Sequence, residues 1–268
     1  GDSFVLDWQA SLAYNRFIGK HNINTSVGMN IMESKEKSLS ANYKGFPSGS
    51  LHSPNYAEEI VSKPTQSEEH SRLMGLIGLV NYSYDNIYLF DASIRMDGSS
   101  KFGTDRKYAP FCSFGTDQRF APFFSGGLGL NLHNYKFFTN MDVFDLLKLR
   151  ASYGQIGKVN FASYDAKTTY RILSDQWYKT GYGAVLYALG NKGLTWETTN
   201  TLDVGMEVSL FKRLLYLRGS YYIKRTVDCI NSVTIPSHSG FTTYMDNIGE
   251  IENKGFELDV RVNFIRTK

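Results

Sequence analysis

The sequence predicts an all-β fold: an antiparallel up-and-down meander of about nine strands, forming an open segment of a larger transmembrane β-barrel. Three observations carry that expectation. Apolar and polar residues alternate over successive windows, the period-two mark of a strand with two unlike faces. Short and long connections also alternate, which sends every long loop to one end of the meander. The strand count is odd, whereas a closed single-chain bacterial barrel has an even number.

The strands read in order as follows. Phe4, Leu6, Trp8, Ala10, Leu12 and Tyr14 make the first apolar row, and Ile23, Thr25, Val27, Met29 and Ile31 the second. The third window, 71–84, is apolar on both faces. In the fourth, 87–96, Tyr88, Phe90, Ala92, Ile94 and Met96 oppose Asp91, Ser93 and Arg95. The fifth, 120–132, contains Gly126, Gly127 and Gly129, and strand glycines mark bends or close backbone approach. Leu147, Leu149, Ala151 and Tyr153 alternate with Lys148, Arg150 and Ser152 in the sixth. Leu202, Val204, Met206, Val208 and Leu210 do so with Asp203, Gly205, Glu207 and Ser209 in the seventh. The eighth sets Leu215, Leu217, Tyr221 and Ile223 against Arg218, Ser220 and Lys224. The ninth sets Phe256, Leu258, Val260, Val262 and Phe264 against Glu257, Asp259, Arg261 and Asn263. No long amphipathic helix is present; 141–147 makes at most a turn or two.

In the last four windows every charge falls on the polar row. A charge near the midplane of a bilayer costs roughly 2–4 kcal/mol on a barrel's lipid face, which accounts for apolar rows free of charge. Connections of about 17–22, Asp85–Asn86 and 211–214 are short, and 133–145 is intermediate. Those over 33–70, 97–119, 157–195 and 226–246 are long. Short periplasmic turns and long extracellular loops are the asymmetry of outer-membrane barrels. Tyr82, Tyr84, Tyr88, Phe211, Tyr216 and Phe264 cluster near turn ends, as interfacial girdles do, although Tyr and Phe are also good strand formers. The competing expectation is a soluble all-β binding or adhesion module whose apolar rows pack sheet on sheet.

Composition agrees with a β protein. The chain has 268 residues, 42% hydrophobic, 21% charged and 15% aromatic, with 24 Gly and 6 Pro, which excludes collagen, coiled coil and a disordered tail. A net charge of +3 gives no reason to expect a nucleic-acid partner. No run is apolar enough for a transmembrane helix. Mean hydropathy of −0.31 suits a barrel that turns half its strand residues to water. Cys112 and Cys229 are too few for a disulfide framework. A chain that opens on Gly1 and ends on Arg266, Thr267 and Lys268 directly after a strand pattern reads as an interior piece of a longer one.

Several strings carry a family resemblance. They are Tyr84-Asp85-Asn86 and Ala92-Ser93-Ile94-Arg95-Met96-Asp97-Gly98-Ser99-Ser100-Lys101-Phe102-Gly103. Leu147-Lys148-Leu149-Arg150-Ala151-Ser152-Tyr153-Gly154 and Leu194-Thr195-Trp196-Glu197-Thr198-Thr199 follow. Asn247-Ile248-Gly249-Glu250-Ile251-Glu252-Asn253-Lys254-Gly255-Phe256-Glu257 completes the set. In this order, from about residue 71 onward, the chain resembles the later barrel portion of SusC/RagA-type TonB-linked (TonB-dependent) outer-membrane proteins.

The resemblance implies a barrel of about 22 strands in the outer membrane of a Gram-negative bacterium. It implies a plug domain and a TonB box that receives energy from the TonB complex. It also implies a SusD-like surface lipoprotein as lid and an oligosaccharide or peptide as cargo, with no cofactor. Plug, TonB box and closing strands are expected outside 1–268. One departure from the family pattern is a tandem copy: Phe102–Ser113 is followed by Phe114–Ser125, with eight of twelve positions identical. Its even period preserves which face each later residue occupies.

No chemistry of an enzyme emerges. His21, His52, His70, His133 and His238 lack metal-ligand spacing, and Glu68-Glu69-His70 reads as a polar loop. No G-x-S-x-G elbow occurs, and Gly154-Gln155-Ile156-Gly157-Lys158 lacks the glycine and hydroxyl spacing of a phosphate loop. Binding candidates lie in the loop 157–195, where Trp177, Tyr178 and Tyr182 stand with Tyr164, Tyr170 and Tyr187. Exposed rings stack on sugars or anchor proteins, or else pack the loop on itself. Asp203, Glu207, Arg218, Lys224, Glu257, Asp259 and Arg261 are expected to face the lumen. There they contact cargo or plug, or pair across strands in water.

Overall fold

Alternation becomes hydrogen-bonded ladder along most of the described chain. A computed structural model describes residues 1–47, 53–102, 120–139, 143–179 and 181–263. Its strands are β1 (Asp2–Ile18), β2 (His21–Ser40), β3 (Tyr43–Lys44), β4 (Glu59–Ile60), β5 (Thr65–Tyr84), β6 (Tyr88–Ser99) and β7 (Phe120–Asn131). There follow β8 (Phe144–Lys158), β9 (Thr169–Tyr178), β10 (Gly181–Ala188), β11 (Glu197–Leu210), β12 (Leu215–Thr234) and β13 (Thr243–Val262). Nine of them form one antiparallel sheet in the order β1-β2-β5-β6-β7-β8-β11-β12-β13. The sheet is open, with β1 and β13 as its edges. The other four make two small hairpins, β3–β4 and β9–β10, inside long connections.

At one end the turns are tight. Asp85 and Asn86 both adopt positive φ (53° and 54°), the backbone that matches a two-residue hairpin to the twist of its strands. Phe211, Lys212 and Arg213 do the same in the turn before β12. The one α-helical turn among the described residues, α1 (Lys136–Thr139), lies upstream of the expected 141–147, of which 141–142 fall outside the described residues. Phe144 and Leu146 already pair with Leu210 and Ser209 of β11, so the ladder claims the segment from 144 onward.

At the other end the strands outrun the expected windows. Ladder hydrogen bonds need no apolar side chain, so polar stretches continue the sheet above the apolar rows. The connection expected over 226–246 is mostly an extended hairpin, with only 235–242 outside strand. Asp228, at φ 57°, marks a bulge between Thr226 and Cys229. Glu68, Glu69 and His70 likewise lie in β5 rather than in a loop. Cys229 is a buried thiol, while Cys112, Phe264 and most of the tandem copy lie outside the described residues.

Cross-strand partners share a face, so the register sorts the side chains. One line runs Ile23, Tyr82, Phe90, Leu128, Ala151, Val204, Tyr221 and Phe256 across eight strands. The adjacent line on the opposite face runs Asn24, Asn81, Asp91, Gly127, Ser152, Asp203 and Tyr222. The nine apolar rows join into one band; the charges on its face lie at the margins, Arg16 beside Ile23 near the tight turn of β1, Lys254 beside Ile223, and Glu33 and Lys35 beside Leu6 and Phe4. No second sheet covers it: Val204 and Met206 are 49% and 46% exposed, while Asp203 and Glu207 opposite are half-buried. The expectation of a sheet-on-sheet soluble module is therefore not met.

Tyr82, Tyr84 and Tyr88 stand on the apolar face at the tight-turn end. His21 Nδ1 lies 2.8 Å from the Tyr82 hydroxyl, and the Tyr88 and Tyr135 hydroxyls are 2.6 Å apart. That is a girdle arrangement, with rings toward the band and polar tips at its margin. Tyr216 departs from it: the register puts it on the polar face, beneath Arg261.

The packed core sits where the long connections meet. Phe102, Phe123, Phe161, Leu194, Trp196 and Ile230 are buried together, Phe102 completely. Phe102 stacks at 5.0 Å from Phe161 and 5.2 Å from Trp196 between ring centroids, and Phe123 meets Trp196 at 5.9 Å.

Candidate functional site

The polar face carries the seven charged residues read from the sequence, and neighbouring strands decide which of them meet. Asp203 on β11 forms an ion pair with Arg150 on β8, with Nη2 3.4 Å from Oδ1. Glu207 is flanked in register by Lys148 and Arg218, the latter 3.9 Å away. On β13, Arg261 Nη2 lies 2.6 Å from Asp259 Oδ2, and its guanidinium stands 5.5 Å over the Tyr216 ring. Lys224 faces Thr201 and Asn253, and Glu257 faces buried Ser220. These two are not brought into the pairs. The charges are therefore mixed in sign and largely compensated across strands, a wettable wall rather than a focused charge.

Arg150 and Gly205 form one closely packed point of that wall. A Cβ on Gly205 would sit 2.7 Å from Arg150 Nε and 3.2 Å from the Gly219 carbonyl oxygen. Only glycine leaves the guanidinium room to lie flat against β11. Gly127 plays the same part for Asp91, whose carboxylate occupies the space a side chain would take.

The long connection from β8 to β11 closes over one end of this face. Its first part, 159–168, acts as a strap. Ser163 Oγ donates to Glu69 Oε1 at 2.6 Å and Lys101 Nζ to the Phe161 carbonyl at 3.3 Å. Glu69 lies on β5, three strands from the root of the strap on β8. On the far side Asn191 Nδ2 donates to the Met245 carbonyl at 2.9 Å and to Asp246 Oδ1 at 3.0 Å. Thr195 and Asn247 exchange two further bonds, at 2.9 and 3.1 Å. One connection thus ties β5 to β13 across the mouth of the sheet, and the Phe102–Trp196 core anchors it.

Between strap, β10 and β13 lies a cavity of about 450 Å³. Tyr164, Tyr187 and Tyr244 line it, with Asp165, Lys167 and Thr243. Rings beside hydrogen-bonding groups suit a ligand with both apolar faces and polar edges. Tyr244 donates to Asp246 Oδ2 at 3.1 Å, and that bond holds its hydroxyl above the usual tyrosine range. Of the sequence candidates, Trp177 and Tyr182 are register partners on the β9–β10 hairpin, and Tyr178 and Tyr182 are more than half exposed. The cavity draws instead on Tyr164 and Tyr187 of the same loop. Tyr244, Asp165 and Lys167 carried no local signal, because only docking of the loop onto β13 brings them together.

Residues 1–266 match the family model described as TonB dependent receptor-like, beta-barrel. The chain belongs to the TonB-dependent receptor β-barrel family.

Its relatives agree. TonB-dependent receptor P3 of Formosa agariphila is 31% identical over 254 residues, covering 93% of this chain and 24% of that protein. TonB-dependent receptor SusC of Bacteroides thetaiotaomicron is 26% identical over 281 residues, covering 98% and 26%. Among solved structures, the RagAB peptide transporter superposes with a TM-score of 0.83 at 23% identity, covering 99% of this chain and 28% of that one. The outer membrane transporter YddB from Escherichia coli superposes at 0.60 with 13% identity, covering 96% and 30%, a likeness of fold. The chain spans about a quarter of the length of the curated relatives it matches. As part of a TonB-dependent receptor barrel it lies in the outer membrane of a Gram-negative cell, and there the apolar band is the surface suited to lipid.

Proposed function

We propose that this chain is part of the wall and extracellular mouth of a TonB-dependent importer for oligosaccharides or peptides. The plug, the TonB box and the closing strands belong to sequence outside it. The polar face lines the lumen, where the charges around Asp203, Glu207 and Arg218 face water, plug and cargo. A SusD-like surface lipoprotein covers the mouth, and the TonB complex drives uptake.

The observation that carries this reading is the sorting of faces. An apolar band with charges only at its margins lies on one side, and on the other is a charged wall closed at one end by a strap that spans from β5 to β13. The Tyr164–Tyr187–Tyr244 cavity beside the strap fits the apolar face and polar edge of a sugar ring or a peptide. Likeness to the RagAB peptide transporter supports the peptide class, and the ring-lined cavity the oligosaccharide class.

The test uses the full-length receptor in its own cells. Labelled oligosaccharides and peptides are offered in turn, and uptake is measured with and without a protonophore. Energy-dependent uptake of one class is expected, reduced several-fold by Tyr187→Ala with Tyr164→Ala and accompanied by co-purification of a surface lipoprotein. Failure of the intact receptor to take up either class would refute the reading.

A further inference from the structure

On β2 and β5 the apolar band stops at the Ile31–Met74 pair. The next pair on the same face, toward the long-loop end, is Glu33–Arg72, followed by Lys35–His70 and Lys37–Glu68. Two strand residues advance roughly 6–7 Å, so on β2 and β5 this cluster begins just past the apolar band, at headgroup depth, with Leu6 and Phe4 at the end of the β1 row level with Glu33 and Lys35.

Glu33 is its centre. His70 Nε2 lies 2.8 Å from Glu33 Oε1, and Arg72 Nη2 and Lys35 Nζ each lie 3.2 Å from it. The Glu33 side chain is 19% exposed, against 44% for Lys35 and 62% for Arg72. The anion lies beneath and the cations on top. Glu33 engages one nitrogen of each, fewer than the three donors of an ammonium or the five of a guanidinium.

The same face offers a contrast. Where the band ends on β12 and β13, Arg225 pairs with Glu250 and Lys254 with Glu252, both at 2.6 Å. There each cation has its own carboxylate. At Glu33 two permanent cations and an imidazole share one, whereas Lys37, one pair further out, has Glu68 at 3.4 Å and faces Asp2 of β1. Both β2 and β5 have sheet neighbours on either side, so the patch is no product of an edge.

We propose that Lys35, His70 and Arg72, held in place by Glu33, bind the phosphate group of an outer-leaflet glycolipid. A guanidinium fork beside an ammonium matches phosphate geometry and charge, and the apolar band directly below receives the acyl chains. This site goes beyond the import reading. It depends only on the lipid-facing placement of the band, not on cargo or lid.

The full-length receptor in detergent is titrated with phosphorylated lipid A, with the same lipid stripped of its phosphates, and with inorganic phosphate, counting adducts by native mass spectrometry. Phosphorylated lipid A is expected to bind about tenfold more tightly than the stripped form, the scale of one charge-assisted contact or more. Lys35→Gln with Arg72→Gln should remove that preference and leave binding of the stripped lipid unchanged. Equal affinity of the native receptor for the two lipids would overturn the proposal, and that comparison stands even where the double variant does not fold. A folded double variant that keeps the preference would overturn it as well. Inorganic phosphate binding as tightly as the lipid would overturn the glycolipid as the source.

Discussion

Placing arginine along the apolar row of β11 tests whether that row touches lipid. Leu210, Met206 and Leu202 lie on one face of one interior strand, from the tight-turn end toward the long-loop end. Eight residues of strand at ~3.4 Å each give roughly 27 Å along the chain, or about 20 Å of depth at the usual tilt. Met206 therefore sits near the midplane and the other two near the interfaces. Its register partners are Leu149 and Gly219, neither of which can pair with a charge.

Met206→Arg should cost about 2–4 kcal/mol, and Leu210→Arg and Leu202→Arg about 0–1 kcal/mol near the boundaries. The central value corresponds to a ~30- to ~700-fold shift in the folding equilibrium. The assay is urea-dependent folding of the full-length receptor into lipid vesicles, with one single variant per position. A flat profile across the three positions would refute the placement, because a row packed against protein or exposed to water has no reason to peak at Met206.

Phe102→Ala removes a fully buried ring between Phe161 and Trp196, and a loss of about 3–5 kcal/mol is expected. Limited proteolysis should then cut within 159–168 faster than in the native protein; equal rates would mean that the aromatic core does not hold the strap. Gly205→Ala drives a methyl against Arg150 and the Gly219 carbonyl and should cost about 1–3 kcal/mol, measured by the same urea titration. Adding Arg150→Ala should recover part of the loss, and strictly additive effects would show that the crowding is not with Arg150. Glu250, in the β12–β13 hairpin beyond the apolar band, is held below the usual carboxylate range by its hydrogen bonds from Arg225. Its folded-state value is lowered, so its contribution is present above the ordinary carboxylate range and lost as pH falls through the lowered value. Hydrogen exchange of the hairpin should rise over that acid window and lose this component in Glu250→Gln.

The side of each strand was legible in the sequence because a strand's side chains alternate with period two whatever surrounds them. Leu202, Val204 and Met206 against Asp203 and Glu207 needed no neighbour to be sorted, and the outward exposure of the apolar row agrees. Tight turns were legible for a similar reason. Asp85 and Asn86 tolerate the positive φ that a two-residue hairpin demands.

Strand ends were not legible. Polar segments such as 33–40, 65–70 and 226–234 join the ladder through backbone hydrogen bonds, which leave no mark on side-chain pattern. Which charges meet was equally hidden: Arg150 reaches Asp203, while Lys224 and Glu257 face polar neighbours, and register alone decides it. The mouth is further still from local sequence. Ser163 and Glu69 are 94 residues apart and meet because a connection folds across three strands, and Tyr164, Tyr187 and Tyr244 share a cavity only through that docking. Alternation is a property of the extended backbone and is written residue by residue. The closure of the mouth depends on contacts between distant segments, and those exist only once the sheet has brought them together.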